Sequence, residues 1–171
     1  MANLGVFRDE FYNAIHVLAE SQGVAGPTTT GTLTAAMLAG ACECMVSVGN
    51  GAATSQTYTT DTAVNIIAQL SAAVNTAYKA NVGGFASSLG AQPALSGIPN
   101  LFNVTWTVDI VNQGTTAASV LAGGTGVTLA TLDAGLTATS IPAAAAANTP
   151  YVTRYVVSVT SAQTVTFTRV Q

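Results

Sequence analysis

Residues 101–111, LFNVTWTVDIV, place Phe102, Val104, Trp106, Val108 and Ile110 in alternation with Asn103, Thr105, Thr107 and Asp109. A period of two sends these sets to opposite faces of an extended chain, so the stretch predicts a strand with one buried and one wet face. Asn112-Gln113-Gly114 supplies a turn after it. Beyond the turn, Ala117 to Leu121, Gly123-Gly124-Thr125-Gly126 and Val127 to Leu132 read as strand, turn, strand. Residues 151–159 (YVTRYVVSV) and 164–170 (TVTFTRV), separated by residues 160–163, read as a further pair. Short strands at intervals of about ten residues predict a mainly β fold, an antiparallel β-sandwich of jelly-roll or Ig-like type.

Upstream, the period lengthens. In residues 62–80 the apolar positions Ala63, Ile66, Ile67, Leu70, Ala73, Val74, Ala77 and Tyr78 fall on one side of a helix that docks on the sheets. Thr60-Asp61 offers its N-terminal cap. Residues 81–101 hold Gly83, Gly84, Gly90, Pro93, Gly97 and Pro99 without a period and read as an insertion. Residues 33–41 suggest a short helix capped by Thr32, and residues 42–48 (CECMVSV) a strand. At the N-terminus Phe7, Phe11, Ile15 and Leu18 form a helical stripe, followed by a Gly-, Pro- and Thr-rich stretch at 23–32 with the composition of a linker. The chain thus divides into a helical arm with its linker, 1–31, and a β-sandwich domain, 32–171. The stripe is the candidate interface, packing either on its own domain or across a neighbouring subunit.

Charge is scarce. Only 6% of the 171 residues are charged, against roughly 25% in an average soluble protein, and the net charge is −3. No basic patch exists to displace counterions from a phosphate backbone, which argues against nucleic-acid binding. Mean hydropathy is positive, yet it comes from Ala and Val scattered among Thr, Gly and Ser. No apolar run reaches the length of about 18 residues that a membrane span needs. The first ten residues turn acidic by residue 9 and lack a secretory pattern, so synthesis in a reducing cytoplasm is the expectation.

The order TTDTAVNIIAQL, a strand ending in VDIVNQG, LAGGTGVTLATL, a spacer and VVSVTSAQTVTFTRV resembles a β-sandwich module of structural proteins of tailed bacteriophages. Its pattern is a Thr-Asp-Thr helix start, a strand ending in I-V-N, an A-G-T-G-V-T-L hairpin and a final V-T-S-A-x-x-V-T hairpin. These match Thr60-Asp61-Thr62, Ile110-Val111-Asn112, Gly124 to Leu129 and Val159 to Thr166. The resemblance covers residues 50–171. It departs from the family at 81–101 and at Pro142 through Pro150, where the connections are longer. It implies a capsid decoration or cement protein, a fibre base, or a domain fused to another virion part, and suggests a homotrimer.

Residues that could carry chemistry are few. The single histidine, His16, sits in the arm, far along the chain from the β segment. Asp61 reads as a helix cap and Asp133, beside Ala134-Gly135, as a turn residue; with Asp109 they do not predict a carboxylate pair. Cys42 and Cys44 share a strand face, and with Glu43 and His16 are the only metal candidates, but paired zinc spacing is absent. Asn103-Val104-Thr105 matches a glycosylation acceptor and reads instead as part of a strand. Gly123-Gly124-Thr125-Gly126 lacks the lysine of a phosphate loop and reads as a hairpin turn. The sequence therefore predicts no enzyme, no cofactor and no metal.

The leading expectation is a virion structural protein on the capsid exterior that binds and stabilises the major capsid protein. The alternative is a tail or head fibre module recognising host-surface carbohydrate, for which Phe85 and Tyr151 are the sparse loop-side aromatics.

Overall fold

The computed structural model describes residues 21–50, 52, 54–73, 104–115, 118–146 and 149–171. Ten strands and two helices occur among them. In chain order they are β1 (Ser21–Ala25), β2 (Gly31–Leu33), α1 (Ala35–Leu38), β3 (Glu43–Val48), β4 (Thr57–Thr60) and α2 (residues 63–73). Then follow β5 (Thr105–Asn112), β6 (Ser119–Ala122), β7 (Val127–Thr131), β8 (Ser140–Ile141), β9 (Tyr151–Ser161) and β10 (Thr164–Arg169).

The fold is mainly β, in two mixed sheets of order β1-β3-β5-β9-β10-β7 and β2-β4-β6-β8. Through β8 the chain alternates strictly, odd strands joining the first sheet and even strands the second. As far as β6 each strand thus returns to its own sheet one circuit later and lies parallel to its predecessor, as in Ser21↔Glu43 and Glu43↔Thr107 of the first sheet, whereas β7 joins the sheet beside β10. Gly31↔Tyr58 and Thr57↔Val120 are the counterparts in the second. The second circuit, from β3 to β5, is longer because α2 and residues 74–103 lie between β4 and β5. Antiparallel pairing enters only with β8 on β6, β9 on β5 and β10 on β9.

This winding corrects the antiparallel expectation. Alternation along a strand reports which face is buried, not which strand lies beside it. The expected hairpin at Gly123-Gly124-Thr125-Gly126 is a crossing between sheets, from β6 in the second to β7 in the first. Its glycines fit close approach. A Cβ on Gly124 would collide with the Thr60 and Asp61 carbonyl oxygens, and Gly126, at φ +78°, adopts a left-handed backbone. The Gly-Pro-Thr stretch is likewise not a spacer, since residues 21–25 and 31–33 join the two sheets as β1 and β2. The arm helix expected at 6–20, with its stripe Phe7, Phe11, Ile15 and Leu18, lies outside the described residues, as does the insertion at 81–101.

One hydrophobic cluster draws on both sheets and both helices. The first sheet contributes Val46, Trp106, Val108, Ile110, Tyr155, Val157, Val165 and Phe167; the second Leu33, Tyr58, Leu121 and Ile141. From α2, Ala63, Ile66 and Leu70 enter the same cluster with Ile67 and Ala73 packed against it, the spacing its sequence predicts. Tyr155 and Phe167 meet edge to face at 6.1 Å. At the β9–β10 hairpin the turn tightens to Ala162-Gln163.

The helix starts differ by one or two residues from the expected caps. Thr34, not Thr32, occupies the position before α1 and makes no side-chain cap bond. The Ala35 amide instead donates to Asp61 Oδ2 at 3.0 Å. At α2 the Thr62 hydroxyl accepts from the Asn65 amide at 3.3 Å, while Asp61 Oδ1 accepts from the Thr62 amide and from Asn65 Nδ2. Asp61 thus ties the starts of two helices together. Burial alone would raise its pKa, but the hydrogen bonds from Asn65, Ala35 and Thr62 outweigh it and hold the carboxyl below its ordinary value.

A lowered pKa means that the folded state binds a proton more weakly than the unfolded chain. The stabilisation is therefore present above the ordinary carboxyl range and is lost as pH falls through the folded value. Asp61→Ala is expected to cost about 1–2 kcal/mol in urea denaturation at neutral pH. The deficit relative to wild type should shrink as the pH falls below about 4.

Candidate functional site

Polar side chains on a sheet face are positioned by register. Asp109 of β5 lies directly opposite Arg154 of β9, and Glu43 stands on the next strand outward, opposite Thr107. All three point away from the core, because Trp106, Val108 and Ile110 on β5 and Thr153, Tyr155 and Val157 on β9 occupy the inner face. Arg154 closes on both carboxylates. Its Nε donates to Asp109 Oδ1 at 2.8 Å, its Nη2 to Asp109 Oδ2 at 2.6 Å and to Glu43 Oε1 at 2.7 Å. The Asp109 side chain is 3% exposed, whereas Arg154 and Glu43 are 42% and 40% exposed. The bidentate Asp109 contact, its charge and that of Glu43 hold the guanidinium protonated far above its ordinary range.

Around this cluster the outer face is neutral and made of small side chains. Across β3, β5, β9, β10 and β7 the register aligns Glu43, Thr107, Val156, Thr168 and Ala130 in one row. The next row is Thr105, Ser158, Thr166 and Thr128. Met45, 44% exposed, stands beside Asp109. This face can present methyl and hydroxyl groups to a partner. The two carboxylates on it, Glu43 and Asp109, are both bonded to Arg154.

The other charged side chains among the described residues are engaged within the fold as well. Arg169 is buried, its Nη1 donating to the Thr137 and Ser140 carbonyls at 2.8 and 2.9 Å and its Nε to the Gln171 carbonyl. Asp133 Oδ1 accepts from the Gly135 amide at 2.8 Å, the turn role its neighbours suggested. Asp61, Asp109 and Asp133 share no hydrogen-bond partner.

Among the described residues no group of three His, Cys, Asp or Glu side chains is placed to hold a metal ion. Cys44 is buried, its thiol pushed up by burial while hydrogen bonds with Ala41, Gly40 and Gln22 oppose the shift. Cys42 is half-buried. His16, Phe85 and Asn103 lie outside the described residues. Tyr151 is 38% exposed at the start of β9.

No family model, curated protein or solved structure matches this chain. Roles are therefore assigned by chemistry alone. The ion cluster was hidden in the sequence because Glu43, Asp109 and Arg154 stand far apart along it and meet only through pairing. The one available signal was Asp109 as the single charge on the wet side of its strand, where an opposite charge on a neighbour is favourable.

Proposed function

We propose that this chain is a structural protein of a bacteriophage virion. In this reading it is a capsid decoration or cement protein that sits on the capsid exterior as a homotrimer and stabilises the major capsid shell. In the same reading its two sheets form a β-sandwich around the shared core. The observation that carries the proposal is the fate of charge. All six charged side chains among the described residues, Glu43, Asp61, Asp109, Asp133, Arg154 and Arg169, are bonded inside the fold. What is left for contact among the described residues, apart from bonded charges such as Glu43 and Arg154, is neutral: a face of Thr, Ser, Val and Ala, and exposed apolar side chains such as Leu132 at 76%. Such surface binds by apolar burial and backbone pairing, means suited to a permanent place in an assembly.

The resemblance to phage modules supports the same reading through Ile110-Val111-Asn112 at the end of β5 and Val159 to Thr166 across the β9–β10 hairpin. Gly124 to Leu129 is the departure, since it crosses between sheets where the family pattern has a hairpin. The fibre reading has less behind it, with Tyr151 the one exposed large aromatic among the described residues.

Cryo-electron microscopy of the virion tests the proposal. Density for this chain on the icosahedral shell is expected, and density at the tail tip would overturn it. Binding to stripped capsids should stay within about twofold from low to near-molar salt, because screening acts on charges and only 6% of the chain is charged. A loss of tenfold or more would show that charge carries the contact.

A further inference from the structure

Among the described residues each sheet has two open edges, β1 and β7 in the first and β2 and β8 in the second, and β1 is the most exposed of them, with four of its five residues exposed against one of five in β7. β1 is the last strand of the six-stranded sheet and β2 the last of the four-stranded one, and among the described residues neither has a partner on its outer side. β1 is the longer, Ser21-Gln22-Gly23-Val24-Ala25, and all but Gln22 are exposed. Natural edge strands are guarded by charge, proline, a bulge or extreme shortness. β1 has none of these, pairing in unbroken register with β3 from Ser21↔Glu43 to Ala25↔Ser47.

The orientation of its backbone follows from one bond. The Gly26 amide, at the end of the strand, donates to the Ser47 carbonyl of β3 at 2.7 Å. Alternate residues of a strand turn their backbone groups to opposite sides, so Gln22 and Val24 also face β3. Ser21, Gly23 and Ala25 direct N–H and C=O groups to the open edge. These are the three smallest residues of the strand. A Cβ added to Gly23 would meet nothing within 4 Å.

We propose that β1 pairs with β1 of a second copy of this chain, antiparallel and centred on Gly23, joining two six-stranded sheets into one. A two-fold axis through the middle of the strand brings only the central residue against its own copy. A charge there would face its like, and an uncharged edge is the condition for such pairing. β1 meets it. In this register Ser21 faces Ala25 of the second copy and Gly23 faces Gly23, so the three outward residues of one copy meet the three of the other as hydrogen-bonded pairs. Val24, 36% exposed, gains cover in the same step. The contact is short and uncharged, which gives a reversible association insensitive to salt. It stands on β1 alone and does not depend on a capsid.

Sedimentation velocity of the full chain over a concentration series tests the pairing. A reversible dimer or a higher oligomer containing such pairs is expected for the wild type. Gly23→Lys and Gly23→Glu should each shift the equilibrium at least tenfold towards the dissociated form, and an equimolar mixture of the two should restore association. Gly23→Cys should form an interchain disulfide in air, because directly opposed hydrogen-bonded residues stand about 5.5 Å apart at Cα. Thr166→Cys, in the middle of the same sheet, should not. Circular dichroism of each variant establishes that the sheet is intact. A wild type that is monomeric at every concentration, a Gly23→Lys variant that associates as well as wild type, or a mixture that fails to recover would each overturn the pairing.

Discussion

Trp106→Ala is expected to lower stability by about 3–5 kcal/mol, the range for removing a buried large aromatic. The indole is 3% exposed, in the cluster where β5 faces α1, and its Nε1–H donates to the Leu38 carbonyl at 2.6 Å. Truncation removes apolar contacts, opens a cavity and orphans a carbonyl at the end of a four-residue helix. A domain with roughly 5–15 kcal/mol in hand loses a large fraction of it. In a thermal scan the midpoint should fall by roughly 6–20 °C, taking about 2–4 °C per kcal/mol for this size.

Trp106→Phe separates the two contributions. It keeps most of the bulk and leaves the Leu38 carbonyl unpaired, a loss of about 1–3 kcal/mol. Thr105→Ala, one residue away on the exposed face, should cost under about 1 kcal/mol. An unchanged midpoint for Trp106→Ala would mean that residues 105–112 do not present Trp106, Val108 and Ile110 to the core.

Trp106 also marks how far sequence reading reaches. The alternation around it identified the buried face of β5, the three- and four-residue spacing from Ala63 to Ala73 identified the packed side of α2, and residues 160–163 identified the connection that the structure tightens to Ala162-Gln163. Each is a local signal, since period and turn chemistry are properties of neighbouring residues. Strand partners are not local. β3 and β5 are adjacent in space because an entire circuit through the second sheet intervenes, and nothing in CECMVSV or TWTVDIV encodes that circuit. Gly123 to Gly126 was misread for the same reason: glycines report a tight backbone, and both a hairpin and a crossing require one. The Glu43–Arg154–Asp109 cluster depends on register across three strands, so it became legible only with the pairing known.

Alkaline pH should destabilise the fold, with Tyr155 as a main contributor. Its ring is fully buried against Phe167 and its hydroxyl donates to the Ala138 carbonyl at 2.9 Å. Burial pushes the phenol up to about 12, against the opposing pull of the Arg169 charge. In the unfolded chain the same phenol ionises near 10. The folded state therefore holds the proton more tightly, and its advantage is intact below pH 10 and lost as pH rises towards 12. Two pH units at about 1.4 kcal/mol each give about 3 kcal/mol.

Tyr58 and Cys44, both raised by burial, act with the same sign, and Cys44 starts the decline near pH 9. Tyr155→Phe discriminates among them. It gives up the Ala138 hydrogen bond, at about 0.5–1.5 kcal/mol near neutrality, but should lose stability less steeply than wild type between pH 10 and 12. Urea midpoints taken every half unit of pH measure that slope, and tyrosinate absorbance followed in the same samples should rise together with unfolding. Equal slopes for the two proteins would mean that Tyr155 ionises within the folded state, and that the inner face of β9 admits water at the Ala138 carbonyl.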